Sequence, residues 1–237
     1  MNSAKRDSQK HASVKNKIIT ATVGVVFAIS LVLFIITFSI GLPIYVRPFY
    51  YMQIESLGID DDTGYSKEQI KEAYDEVLDF LTLGKEYGTG VFKYSESGKS
   101  HFEDCKILFD LNATVLIISS ALLLIITVLK RLKLIKIPTP LGFGISFWSG
   151  VSTLAVFSLI GVLAATNFAR AFTIFHKIFF PGKSNWYFDP YTDGIILAMP
   201  ADFFMSSAIL ILVSIITLSV LSIVLGIIKK KRGKKLF

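Results

Sequence analysis

Four long apolar segments alternate with polar or charged segments along the chain, at residues 18–43, 108–129, 141–168 and 203–228. Each is close to, or longer than, the roughly 20 residues that a helix needs to cross a bilayer. Because lipid cannot satisfy exposed backbone groups, each segment should form a helix. The pattern predicts an all-α polytopic membrane protein with four transmembrane helices.

A small helical domain is predicted between the first two spans, over residues 44–107. Ser66 and Gln69 have the spacing of a capping box, and apolar residues then recur at helical intervals. Gly84 is suited to end such a helix. These signals together predict an amphipathic helix over residues 67–83.

Two further patterns follow within the same segment. Val91 to Tyr94 lie between glycines and favour a short strand. Ser100 and Glu103 have the spacing of a second capping box. This spacing predicts that another helix begins near His101 and continues directly into the second span.

The net charge of +7 comes from basic residues placed beside the spans. They cluster in the two tails, residues 1–17 and 229–237, and in the loop at residues 130–140. Such clusters mark the cytoplasmic side, so four spans place both termini inside and residues 44–107 and 169–202 outside. The distribution indicates membrane topology and contact with membrane lipid, and it argues against nucleic-acid binding.

The candidate chemistry rests on two of the three histidines. His101 precedes the second span, His176 lies in the aromatic-rich segment 169–202 after the third, and His11 lies in the basic tail. Imidazole titrates near neutrality and can exchange protons at that pH. We expect His101 and His176 to meet at the outer surface of the membrane and to act on a lipid ester.

Neighbouring residues give each of these rings a different setting. Asp104 follows His101 by three residues, shares its helical face and is expected to support the ring by orienting it. His176 is expected near the end of a helix that stops at Pro181, where a positive charge is tolerated. Cys105 has no activating neighbour, which favours a packing role over that of a nucleophile.

Other chemistries remain open at this point. The chain has no metalloprotease, phosphate-loop or serine-nucleophile motif. A metal site of His101, Asp104 and His176 lacks an evident fourth ligand, and the two histidines could instead ligate a haem. A lipase, an acyltransferase that uses a separate phospholipid, and a non-catalytic membrane partner are further alternatives.

Two segments resemble motifs of a known family. HFEDCKILF, at residues 101–109, is similar to its H-x-x-D-V motif. Residues 172–204 are similar to its F-x-x-F-H-x-x-F-F…W-x-x-D-P…P-x-x-F-F motif. Over residues 18–228 the chain therefore resembles the small integral membrane proteins that include the lipoprotein intramolecular transacylase, Lit. Cys105 departs from the aliphatic residue that is usual in the first motif.

The resemblance implies an acyltransferase of the bacterial cell membrane that acts on diacylglyceryl lipoproteins. The α-amino group of the lipid-bearing cysteine would attack the sn-2 ester, and the acyl chain would move to that nitrogen. Because the amine and the ester belong to one molecule, no cofactor is expected. His101 and His176 are implied to be catalytic, one as the base and the other as the group that stabilises the oxyanion. Arg47, Arg170 and Trp186 are candidate substrate-binding residues.

Overall fold

The computed structural model describes residues 2–234, with side chains described for residues 9–11 and 13–228. Nine α-helices form in this range: α1 (Asn2–Tyr45), α2 (Pro48–Ser56), α3 (Ile59–Thr63), α4 (Lys67–Leu83), α5 (Glu96–Arg131), α6 (Ile145–Thr166), α7 (Phe168–Phe179), α8 (Ile195–Ala198) and α9 (Ala201–Lys234). A short 3₁₀ turn, Pro140–Gly142, lies between α5 and α6. The prediction of an all-α fold is confirmed.

Four of the described helices are long and apolar enough to cross a membrane. The spans are Gln9–Tyr45, Glu96–Arg131, Ile145–Thr166 and Ala201–Ile228. The protein is therefore a multi-pass membrane protein, as the apolar pattern predicted. Three of these helices extend well beyond the apolar segments, because polar residues can continue the helical hydrogen-bond pattern past the end of an apolar segment.

The start of α5 differs from the predicted start near His101. The helix begins at Glu96, and the hydroxyl of Ser95 accepts a hydrogen bond from the Gly98 N–H at 3.0 Å. The carboxylate of Asp193 in turn accepts from the Ser95 N–H at 2.8 Å. The cap at Ser95 is thus held in place by Asp193, a residue distant along the chain, whereas the local spacing of Ser100 and Glu103 predicted a later start.

The segment between α4 and α5 forms a turn in place of the predicted strand. Gly90 has a left-handed backbone, with φ of 55°, and the Phe92 N–H donates to the Thr89 carbonyl at 3.0 Å. A strand also needs a neighbouring strand to bond its backbone, and residues 2–234 contain none. The prediction of a strand at Val91 to Tyr94 is wrong.

The described chain divides into two compact units, the first of which comes from residues 2–36, 115–157 and 215–234. In this unit α6 and α9 approach closely at glycines. A Cβ added to Gly150 would lie 2.6 Å from the Ser219 carbonyl oxygen, and one added to Gly226 would lie 2.6 Å from Cβ of Phe147. Small residues thus allow the two helices to pack at short range.

The second unit comprises residues 37–114 and 158–214 and contains both His101 and His176. Tyr50 of α2 stacks on Tyr74 of α4, with ring centroids 3.7 Å apart. The Tyr50 hydroxyl donates to the Ala198 carbonyl of α8 at 2.7 Å. These contacts join three helices around one apolar core, which also includes Ile54, Ile59, Ile70, Val77, Phe92 and Phe203.

Helix α4 forms as its sequence predicted. The Ser66 hydroxyl accepts from the Gln69 N–H at 3.3 Å, and the Gln69 side-chain oxygen accepts from the Ser66 N–H at 3.0 Å. Gly84 ends the helix in a left-handed conformation, with φ of 69°. The apolar residues at helical spacing are buried in the core of the second unit, which explains why this short helix is stable.

Candidate active site

His176 occupies the inward face of the amphipathic helix α7. The side-chain oxygen of Asn167 accepts from the Arg170 N–H at 2.9 Å and so caps the start of this helix. His176 is 6% exposed, whereas Phe175 is 46% and Ile178 is 66% exposed. The helical period therefore turns the histidine into the protein while its apolar neighbours face outwards.

The hydrogen bond of His176 defines which of its ring nitrogens can act as a base. Nδ1 lies 2.8 Å from the Phe172 carbonyl oxygen, one turn earlier on α7. A carbonyl oxygen only accepts, so Nδ1 carries the hydrogen and Nε2 keeps its lone pair. Burial lowers the pKa of His176, although the bond to Phe172 opposes this shift. The ring is thus a neutral base at neutral pH.

His101 of α5 lies next to His176 in a group of aromatic rings. The two imidazole centroids are 5.8 Å apart, with their planes inclined by 33°. The ring of Phe180 meets His101 edge to face at 4.9 Å, and that of Phe188 does so at 5.5 Å. His101 is 5% exposed. The structure therefore brings together the two histidines that the sequence singled out.

The two nitrogens of His101 have different surroundings. Nε2 lies 3.4 Å from Sγ of Cys105, which follows one turn later on α5. Nδ1 is buried and has no hydrogen-bond partner among the residues that the structure describes. A buried polar atom without a partner is costly, so a bound molecule that hydrogen-bonds to Nδ1 would remove that cost.

Trp186 forms a wall of the same site. Its ring stacks on His176, with centroids 4.6 Å apart and planes inclined by 28°. Its indole N–H donates to the Lys183 carbonyl at 3.0 Å, and Tyr187 packs against its ring at 3.6 Å. Of the three candidate substrate-binding residues, Trp186 is the one that the structure places against a histidine ring.

Asp104 bonds to the loop after α7 and not to the ring of His101. Its carboxylate forms an ion pair with Lys183 and accepts a hydrogen bond from Nδ2 of Asn185 at 3.0 Å. The side chain therefore fastens the loop to α5, where the sequence had predicted that it orients His101. Sequence reasoning missed Lys183 and Asn185, because nothing in their local pattern indicates a partner some 80 residues earlier.

A second polar contact fastens the other end of this loop. Asp193 is 5% exposed, and its carboxylate accepts from the backbone N–H and hydroxyl of Ser95 and from the Thr192 hydroxyl. A Cβ on Gly98 would lie 2.2 Å from a carboxylate oxygen of Asp193, so only glycine fits there. The loop is therefore held against the first turn of α5, one turn before His101.

Arg47 and Arg170 have other surroundings. The Arg47 guanidinium forms ion pairs with Asp75, at 2.9 Å, and with Asp79, both on α4. The hydrogen bond from Arg47, with a smaller effect of Lys85, lowers the pKa of Asp79 despite its partial desolvation. The Arg47 side chain thus joins the start of α2 to α4. Arg170, in contrast, is exposed in the first turn of α7.

The described side chains include no group of three or more histidine, cysteine, aspartate or glutamate residues that could hold a metal ion. In particular, the oxygens of Asp104 are bonded to Lys183 and Asn185. The alternative of a metal site on His101, Asp104 and His176 therefore has no structural support. What the site does contain is a pair of imidazoles suited to proton transfer and hydrogen bonding.

The fold and the histidine pair define a membrane-integral helical protein with two neighbouring buried histidines. The family model described as "Lipoprotein intramolecular transacylase Lit" matches residues 25–204, and the chain belongs to this family of acyltransferases. A match of this extent covers both histidines and the whole loop between α7 and α9.

Solved structures share the fold. The structure of the membrane-integral lipoprotein intramolecular transacylase Lit from Bacillus cereus superposes with a TM-score of 0.82 and 24% identity, covering 93% of this chain and 100% of that one. A histidine-to-alanine variant of the Bacillus protein gives a TM-score of 0.73 and 25% identity, over 95% of this chain and 99% of that one.

A curated relative matches a shorter segment. An uncharacterized protein of Aquifex aeolicus (strain VF5) is 30% identical over 95 residues, which are 39% of this chain. The match spans 43% of the length of that relative, less than half of it.

Proposed function

We propose that this protein moves the sn-2 acyl chain of a bacterial diacylglyceryl lipoprotein to the α-amino group of its N-terminal cysteine, which yields a lyso-lipoprotein. Membership of the Lit family supports this reaction class. The observation that carries the proposal is the pair of buried imidazoles, 5.8 Å apart, whose nitrogens have different hydrogen-bond environments.

His176 is the proposed base. Its Nε2 takes a proton from the substrate's α-ammonium group, whose ordinary pKa of about 7.7–8 is within reach of an imidazole, and this first proton is released to the solvent. The resulting amine nitrogen attacks the ester carbonyl, and Nε2 takes a second proton from that nitrogen as the C–N bond forms and the glyceryl C–O bond breaks. The imidazolium returns its proton to the leaving glyceryl oxygen, so no other reactant is needed. His176 lies in the last turn of α7, where the helix dipole favours this transient positive charge.

His101 is the proposed group that stabilises the oxyanion. In the tautomer that carries its hydrogen on Nδ1, the buried nitrogen without a partner would donate to the carbonyl oxygen as negative charge develops there. The amine and the ester belong to one substrate molecule. The protein therefore has mainly to fold that molecule into a reactive conformation, which can account for much of the rate enhancement.

The proposed orientation places both termini in the cytoplasm and the site at the outer face of the membrane. The support is the placement of the basic clusters in residues 1–17, 130–140 and 229–237. In this orientation residues 44–107 and 169–202 would lie outside, where mature lipoproteins are found at the membrane surface. The diacylglyceryl group of the substrate would remain among the membrane lipids during the reaction.

The mass of the product tests the reaction. A synthetic lipopeptide with an N-terminal diacylglyceryl cysteine is incubated with the purified protein in detergent, with no phospholipid added. The proposal expects an unchanged mass, loss of the free amine and an acyl group on nitrogen by tandem mass spectrometry, and no product with His176→Gln.

Each competing reaction gives a different product. Transfer from a separate phospholipid would add the mass of one acyl chain, and none should occur without that donor. A lipase would remove one acyl chain and leave the amine free. Either a gain or a loss of an acyl chain would overturn the proposed intramolecular shift.

A further inference from the structure

The loop after α7 closes off both histidines. His101 is 5% and His176 is 6% exposed. The rings of Phe180 and Phe188 pack against His101, and Trp186 stacks on His176. Any substrate ester has to reach a ring nitrogen of these histidines. The closed arrangement therefore cannot be the one through which a substrate with two acyl chains enters.

The polar contacts of Asp104 hold the middle of this loop closed. Its carboxylate pairs with Lys183 and accepts from Asn185 at 3.0 Å. The side chain of Asp104 is 15% exposed and that of Lys183 is 47% exposed, so water can compete for the ion pair. Trp186 donates to the Lys183 carbonyl at 3.0 Å, which links this contact to the ring that covers His176.

The loop is held differently beyond Phe188. Asp193 is buried and accepts three hydrogen bonds from Ser95 and Thr192, and the Gly194 N–H donates to the Lys93 carbonyl at 3.0 Å. A buried set of bonds of this kind opens less readily than a partly exposed ion pair. The segment that can open without loss of the anchor at Asp193 is therefore residues 180–188.

We propose that residues 180–188 form a lid over the histidine pair, and that Asp104, Lys183 and Asn185 form the latch that keeps it closed. Asp104 is a positioning residue in this arrangement and not a catalytic one. Opening of the lid admits the lipid-bearing substrate, and closure excludes water from the ester during the acyl shift. The role for water rests on the proposed function, whereas the latch itself does not.

Chemical modification of the histidines tests the latch without any substrate. Diethylpyrocarbonate acylates accessible neutral imidazoles, and the chain has three histidines. His11 is exposed on α1 and serves as the internal reference for the modification rate in the full-length protein in detergent. Mass spectrometry of peptides gives the rates for His101 and His176 relative to His11.

The variant Lys183→Met removes the ion pair and should raise both relative rates about 1.5- to 5-fold, the range expected for loss of a partly exposed ion pair. Lys183→Arg keeps the pair and should leave the rates unchanged. Lys177→Met removes an equal charge from an exposed position on α7 and should also change nothing. If Lys183→Met does not fold, Asn185→Ala removes the other bond to Asp104 and should act in the same direction.

Two results would overturn the latch. In the first, Lys183→Met and Asn185→Ala both show the same relative modification rates of His101 and His176 as the unaltered protein. The other is an equal rise in the modification rates of His101 and His176 in Arg47→Met. Arg47 pairs with Asp75 and Asp79 of α4 and not with the lid, so such a rise would indicate general loosening of the unit. Since no substrate takes part, failure of the proposed acyl shift would leave this outcome unaffected.

Discussion

Nδ1 of His176 donates its hydrogen to the carbonyl oxygen of Phe172, one turn earlier on the same helix, at 2.8 Å. This bond leaves Nε2 as the basic nitrogen and fixes the direction in which it points. A local helical contact thus decides the tautomer of the proposed base, and no carboxylate partner is needed for that purpose.

The first prediction concerns pH. We expect the acidic limb of the kcat profile to have its midpoint below the ordinary imidazole pKa of about 6.5. As the pH falls, a proton binds to Nε2 of His176 and removes the base. Because burial lowers the pKa of His176, this loss of activity begins only at a lower pH. Initial rates with the diacylglyceryl lipopeptide across the acidic range measure the midpoint, and a value above about 6.5 would contradict the assignment.

The second prediction concerns the histidine pair as a unit. His101→Ala and His176→Ala should each lower the rate by about 10²- to 10⁴-fold, the range typical of acid–base groups. The double variant should lose much less than the product of these factors, because both rings act on one transition state. His11→Ala is the matched control and should keep full activity. Near-normal turnover by either single variant would exclude that ring from the mechanism.

The third prediction separates the two arginines that the sequence offered as substrate-binding residues. Arg47→Met removes the ion pairs to Asp75 and Asp79, so it should lower stability by about 1 kcal/mol, reduce Tm by a few degrees and leave KM nearly unchanged. Arg170→Met, at an exposed position, should leave Tm unchanged and raise KM if this side chain holds the substrate. Thermal unfolding and steady-state kinetics on the two variants distinguish these roles. A higher KM with an unchanged Tm in Arg47→Met would reverse the assignment.

The fourth prediction concerns topology. In intact cells, a cysteine introduced at Lys133 should resist a membrane-impermeant thiol reagent, because the basic loop 130–140 is expected in the cytoplasm. A cysteine at Ser184, an exposed residue of the loop after α7, should react readily. Both variants carry Cys105→Ala to remove the native thiol. Strong reaction at Lys133 before lysis would refute the proposed orientation.

Local patterns in the sequence were sufficient for the four spans and for α4. Apolar length predicted the four spans, and the capping box at Ser66 with the glycine at Gly84 predicted the bounds of α4. These features depend on neighbours along the chain: a helix forms where its own residues satisfy its ends and bury one face. For the same reason, His101 and His176 could be selected from their flanking residues before any contact between them was known.

Only the tertiary structure decided which polar groups meet. The sequence paired Asp104 with His101, three residues away, whereas the folded chain pairs it with Lys183 and Asn185. The local spacing predicted that α5 starts near His101, whereas Asp193, from the far end of the loop, bonds to Ser95 and stabilises an earlier start at Glu96. Many donor groups along a sequence could bond to a given carboxylate. Which of them do so depends on which donors the packed core brings within about 3 Å of its oxygens. That packing also determined that Trp186 covers His176, a contact between residues on different segments that no local periodicity records.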